Sequence, residues 1–175
     1  PFYHPMAQGV ALEGMKLVHD NLPQACADGS DIVARSNMLA ASIMGATAFQ
    51  KGLGGVHALS HPIGAVFDTH HGLANAIMLP YVLVRNQAAI EQRLSDAARY
   101  IGLQDASFKG FLDWILRLRA DLNIPHSLAD IGIDESRAEE IGAAAKQDPS
   151  DGGNPVNLTP ADYTAIFIAA VKGVV

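Results

Sequence analysis

Polar and apolar positions fall into helical periods along most of the chain, and no stretch of five residues alternates between turn signals as a strand would. Met6, Val10, Leu12, Met15, Leu17 and Val18 lie near helical spacing over residues 6–19, behind Pro5 as a first-turn residue. Pro23 and the DGSD cluster at 28–31 interrupt that pattern. Residues 32–51 are apolar on nearly every side, through Ile32, Val33, Met38, Leu39, Ile43, Met44, Ala48 and Phe49. Such a segment is expected in the middle of a bundle. Gly52, Gly54 and Gly55 stop it.

Residues 56–66 read as a short helix with Pro62 inside, which requires a kink or a nearby helix end. FDTHHG reads as a loop, and 72–85 as a further apolar helix with Pro80 inside. Ile90, Leu94, Ala97, Ala98 and Ile101 form one stripe. Phe108, Phe111, Leu112, Ile115, Leu116 and Leu122 form another, ended by Asn123 and Pro125. Asp134 is placed to cap a helix over 135–147, and DPSDGGNPVN (148–157) is a loop. Thr159 caps a last helix, with Pro160 at its first position, Asp162 near N3, and Tyr163, Ile166, Phe167 and Ala170 facing inward. The expected architecture is an all-α helical bundle forming a single domain over 1–175.

With 49% hydrophobic residues the chain can bury a sizeable core. Only 17% of residues are charged and the net charge is −6, which argues against nucleic-acid and anionic-membrane partners, since both want clustered Lys and Arg. The longest apolar run, Leu39 to Phe49, is broken by Ser42, Gly45 and Thr47 and is too short for a bilayer. Cys26 is the one cysteine, so no disulfide framework exists and a cytoplasmic setting fits. Cys26 is expected to be a packed small residue, and Trp114, Phe108 and Phe111 to be core; His19 and His126 read as surface residues. The chain starts at Pro1 without a methionine or signal peptide, and it is expected to be a piece of something longer.

Candidate chemistry concentrates in residues 52–80, GLGGVHALSHPIGAVFDTHHGLANAIMLP, which hold four of the seven histidines. His57 and His61 are four apart, so a helix sets both imidazoles on one face within reach of a shared ion. His70 and His71 follow a turn that can bring one of them back to the same point. His71 stands where free backbone N–H groups at a helix start favour a polarised oxygen. An HxxxH pair alone is a weak signal, and a lone histidine here is most simply a packed residue bonded to backbone. Four histidines in apolar, glycine-rich surroundings move the balance toward metal or catalytic use. Asp68 is the only nearby carboxylate and has no clear geometry, and no Asp-x-x-x-His pair occurs in the chain, so at least one ligand of a complete site must come from elsewhere.

The segments GGVHALSHPIG and DTHHGLANAIMLPYVL resemble the second signature of the iron-containing alcohol dehydrogenase family. PFYHPMAQGVALEGMKLV resembles the helix after that family's first signature. NIPHSLADIGID and DPSDGGNPVNLTPADY resemble its closing segments. The resemblance implies the C-terminal helical domain of the dehydroquinate synthase-like fold, with the nucleotide-binding α/β domain and the remaining Asp and His ligands upstream of residue 1. It implies His57 and His71 as metal ligands, His61 beside substrate and nicotinamide as the catalytic residue, and His70 as a candidate behind the ligands. Fe²⁺ or Zn²⁺ and NAD or NADP are the implied cofactors. Hydride exchange between the nicotinamide and an aldehyde or ketone is the implied reaction, in a homodimeric protein of which these residues alone are inactive.

Alternatives remain at this point. Metal-free maleylacetate reductases share the fold. A metal-binding helical module would bind an ion at full affinity without redox chemistry. A purely structural helical domain would use its histidines for packing.

Overall fold

The structure is a computed structural model that describes residues 4–175. Seven α-helices follow in order among these residues: α1 (Pro5–Ala27), α2 (Ile32–Ala48), α3 (Gly55–Phe67), α4 (His71–Ile101), α5 (Phe108–Asp121), α6 (Ala138–Gln147) and α7 (Pro160–Lys172). Short 3₁₀ turns cover Phe49–Lys51, Ala129–Ile131, Glu135–Arg137 and Pro149–Gly153. No strand occurs among the described residues, so the all-α class holds. Of the segment PFYHPMAQGVALEGMKLV, Pro1 to Tyr3 lie outside the described residues.

Local side chains cap several of these elements: Thr159 as the sequence predicts, and Asp134 at a 3₁₀ turn over 135–137 rather than at the expected helix start, since α6 begins at Ala138. Asp31 accepts from the Ala34 N–H at 2.9 Å to start α2, and Ser107 accepts from Gly110 at 3.0 Å to start α5. Thr159 and Asp162 exchange side-chain-to-backbone bonds in a capping box at α7. Asp134 caps the 3₁₀ turn that leads into α6. His4 closes the start of α1, its Nδ1 accepting from the Ala7 N–H at 3.1 Å.

The chain divides into two compact units, residues 1–51 with 91–122, and residues 52–90 with 123–175. In the first unit α1 and α2 pack along small residues, with Ala7, Gly14, Ala34 and Ala41 buried. Asn37 donates to Asn21 across this pair at 2.8 Å. Phe108, Phe111, Trp114 and Ile115 of α5 bury with Ala97, Ala98 and Ile101. His19 is half-buried rather than on the surface, its ring edge-on to Trp114 at 5.6 Å.

The core of the second unit is a single cluster. Leu59 and Ile63 of α3, Ile77, Met78 and Tyr81 of α4, Ile141 of α6 and Tyr163, Ile166 and Phe167 of α7 join Leu128 and Leu158 in it. Burying each large apolar side chain contributes about 1.5–3 kcal/mol. Helices α6 and α7 approach closely at Gly142, where a Cβ would lie 2.1 Å from Thr164 Oγ1.

Four expectations from the sequence are corrected. Pro23 does not end α1: the helix runs on to Ala27. The segments 72–85 and 90–101 are one helix, α4, which continues through Pro80. Cys26 is exposed, not packed. Finally, α2 is not central. Ile32 and Val33 (both 71% exposed), Leu39 (69%) and Ile43 (68%) face outward, because α2 meets α1 through its alanines and leaves its large side chains off the seam. The helical span 32–51 also reaches the length and apolar content of a bilayer-crossing helix, although Ser42, Gly45 and Thr47 interrupt it. Length and composition alone assign it no membrane role.

Candidate functional site

The site is built on α3 and the start of α4, both in the second unit. Gly52 takes φ +89°, a conformation open to glycine, and Gly54 leaves α3 without a side-chain cap of its own. From Gly55 the helix runs through Pro62, whose missing N–H does not prevent it reaching Phe67. It ends at Asp68 in the left-handed region, φ 51° and ψ 37°. His71 is the first residue of α4.

This turn brings together three of the four clustered histidines. The His57 and His61 ring centroids are 5.9 Å apart on one face of α3. His71 returns to 5.3 Å from both, and its ring stacks on that of His61 at an interplanar angle of 14°. Asn75, one turn along α4 from His71, ties them further. Its Nδ2 stands 3.0 Å from His71 Nε2 and 3.4 Å from His57 Nε2. The two Nε2 atoms therefore point at a common locus. Asn75 Oδ1 is buried without a hydrogen-bond partner.

His70 does something else. Its Nδ1 lies 3.4 Å from the Leu73 N–H, and its carbonyl accepts from Ala74 at 3.0 Å, so it closes the start of α4. Asp68 shapes the turn through its backbone. His126 bonds the Gly173 carbonyl from Nε2 at 3.0 Å.

Beyond the histidines the site draws on Asn75 and on the 148–157 loop, whose GGNP stretch the sequence offers as a lining of the cleft while singling out none of these three side chains, Asn75, Asp148 or Asn154. Asp148 Oδ2 lies 2.8 Å from His61 Nδ1. Asn154 is buried, and its Oδ1 accepts from the Gly55 N–H at 3.1 Å and from Asn86 at 2.8 Å. Its Nδ2 donates back to Asn86 and to the Val156 carbonyl. Gly153 permits this seat, since a Cβ there would fall 1.7 Å from the Leu53 carbonyl oxygen. Of these residues, Asn75 was legible as the i+4 neighbour of His71. Asp148 and Asn154 carried no periodic signal, lying 87 and 99 residues from their partners.

The electrostatics favour neutral imidazole at His57 and ionised carboxylate at Asp148. Burial lowers the His57 pKa below its ordinary 6.5, helped by the neighbouring His71 and His61 and opposed by Asp148. Burial alone would raise the Asp148 carboxyl. Hydrogen bonds from the Ser150 backbone, His61 and the Ser150 side chain outweigh it and hold the group below 3.8. Among the described residues, no three His, Cys, Asp or Glu side chains stand together as a complete metal site. The chain presents a converging imidazole pair with a polar frame.

Residues 3–171 match the Fe-containing alcohol dehydrogenase family, C-terminal. The chain is 34% identical over 172 residues to the 1,3-propanediol dehydrogenase of Citrobacter freundii, covering 94% of this chain and 44% of that protein. It is 31% identical to the NAD-dependent methanol dehydrogenase of Bacillus methanolicus, over 93% of this chain and 45% of that one. A crystal structure of 1,3-propanediol oxidoreductase superposes with a TM-score of 0.92 at 33% identity, across 95% of this chain and 46% of that one. The chain thus spans about half the length of the relatives it matches. On the match from residue 3 to residue 171, this chain belongs to the Fe-containing alcohol dehydrogenase family, as its C-terminal part.

Proposed function

We propose that this chain is the metal-binding half of an NAD(P)-dependent alcohol dehydrogenase acting on a small alcohol or aldehyde. The observation that carries the reading is the convergence of His57 Nε2 and His71 Nε2 on the Asn75 amide, within a chain of this family. Imidazole nitrogen suits Fe²⁺ and Zn²⁺, and lowered basicity at His57 keeps its ring nitrogen available as a ligand at neutral pH. A site of this kind takes about three or four protein ligands. His57 and His71 supply two of them, and the others lie outside this chain's described residues.

When bound, the ion supplies Lewis-acid polarisation of the substrate oxygen and the nicotinamide supplies the hydride. His57 and His71 would hold the ion. His61, stacked against His71, holds and moves the proton that the substrate oxygen gains or loses. NAD use is supported by the relative named as NAD-dependent. The single cysteine accords with a cytoplasmic protein.

The test is metal content and NAD(P)-linked carbonyl reduction in the full-length protein. His57→Ala and His71→Ala should each lose bound Fe²⁺ or Zn²⁺ and turnover together. Turnover that persists after complete metal removal would move the protein to the metal-free branch of the fold. Full metal affinity in the 175 residues alone, with no reductase activity in the longer protein, would make it a metal-binding module instead.

A further inference from the structure

The 148–157 loop is tied down far more firmly than a connection of that length needs. Asp151 accepts from the Tyr163 hydroxyl at 2.7 Å and from Lys146 Nζ at 2.9 Å. Asn154 is bonded to Gly55, Asn86 and Val156. The loop is therefore anchored to α3, α4, α6 and α7 at once, and one of its side chains projects onto the histidine cluster. That side chain is Asp148. Its Oδ1 accepts from the Ser150 N–H at 2.8 Å, and its Oδ2 meets His61 Nδ1 at 2.8 Å. The carboxylate side chain is 13% exposed, whereas that of His61 is 42% exposed. The acid is thus the fixed partner and the imidazole the presented one.

We propose that Asp148 is a positioning residue that holds His61 as its Nδ1–H tautomer, leaving Nε2 as the bare acceptor of the ring. An ionised carboxylate has no proton to give, so the 2.8 Å contact is a bond donated by Nδ1. A neutral imidazole with its proton on Nδ1 carries its lone pair on Nε2. Carboxylates serve this orienting role beside catalytic histidines on unrelated folds. The bonds to Ser150 and His61 also keep the carboxylate ionised against its burial. The tautomer follows from this geometry alone. Its catalytic consequence rests on the dehydrogenase reading above.

The test has a spectroscopic arm and a kinetic arm. In the ¹⁵N-labelled, metal-free full chain at a pH where imidazole is neutral, long-range ¹H–¹⁵N correlations of His61 should show a protonated Nδ1 and a bare Nε2. Asp148→Asn keeps an oxygen for the Ser150 N–H but can donate to Nδ1, so it should shift the ring toward the Nε2–H form. Asp148→Glu should restore the wild-type pattern in part. A wild-type ring with its proton on Nε2 overturns the proposal even if a variant fails to fold. So does an unchanged pattern in Asp148→Asn.

In the full-length enzyme, Asp148→Asn should lower kcat on the order of 10²-fold, as loss of a proton-transfer partner does, with KM little changed and metal content intact. Adding it to His61→Ala should cost nothing further. Independent, additive losses would overturn the coupling. A wild-type protein with no NAD(P)-linked turnover sinks the dehydrogenase reading instead, and the ring spectrum still decides the role of Asp148.

Discussion

Asn154 accepts a hydrogen bond from the Gly55 N–H at 3.1 Å, so a residue 99 positions away supplies the cap that α3 lacks locally. The same amide exchanges bonds with Asn86. Removing it strands the donors of Gly55 and Asn86 in a buried setting. Asn154→Ala is expected to lower the unfolding free energy by about 2–4 kcal/mol, since each stranded buried group costs about 1–3 kcal/mol. Chemical denaturation of the variant beside the wild type measures it. A loss within experimental error would show that water replaces the amide without cost.

Gly153→Ala offers a harsher probe of the same seat. The added Cβ would overlap the Leu53 carbonyl oxygen at 1.7 Å, a backbone atom that cannot rotate away. The loop must move off the start of α3, and the separation of His61 and Asp148 should rise with it. The expected readouts are a lower melting temperature and loss of the wild-type His61 ring signature in the same variant.

The pH response of the metal-free chain follows from the signs of two shifts. His57 has a folded pKa below 6.5, so its neutral form is favoured in the fold. The corresponding stability is present above pH 6.5 and is lost as pH falls through the folded value. Asp148, held below 3.8, contributes stability above pH 3.8 that is lost on further acidification through its folded value. Melting temperature should therefore fall from pH 7 to pH 5 in the wild type, and less so in His57→Ala. Asp148→Asn should flatten the curve only in the more acid range.

At the other end of the scale, burial and the hydrogen bond to Asp151 raise the Tyr163 pKa well above 10. The hydroxyl favours the folded state below pH 10, and that contribution is lost as pH rises toward its folded value. Tyr163→Phe should flatten the alkaline limb of the same melting curve. An unchanged alkaline limb in this variant would leave Tyr163 uncoupled from folding.

Cys26 gives a simple check on the surface of the first unit. It is exposed, so a thiol reagent should label it in the native chain at the rate seen in the denatured chain. Outward-facing positions of α2 should be similarly permissive. Ile43→Lys is expected to change the stability of this chain by no more than about 0.5 kcal/mol. A large loss on denaturation would show that the α2 face is covered.

The parts of this fold legible in the sequence are those that local chemistry determines. Thr159, Pro160 and Asp162 specify the start of α7 within four residues, and the structure builds the capping box they encode. The HxxxH spacing brings His57 and His61 together because the helical repeat alone does so. The apolar character of 32–51 misled because hydrophobicity reports what a segment can bury, not which neighbour it meets. Packing against α1, with Gly14 beside Ala41 and Met44 and with Ala34 and Ala41 buried, satisfies α2 and leaves Leu39 and Ile43 outside. Pro23 misled in the other direction: it removes one N–H from a helix that its surroundings continue to support. Asp148 lies beyond any local rule, since its partner is set by how the second unit closes.

That closure also sets an order of events during synthesis. His57, His61 and His71 leave the ribosome long before Asp148, which follows His61 by 87 residues. At about 5–20 residues per second, the histidines wait roughly 4–17 s for the loop that frames them. Any cation encountered in that interval meets the imidazoles before Asp148 and its loop are there to frame them.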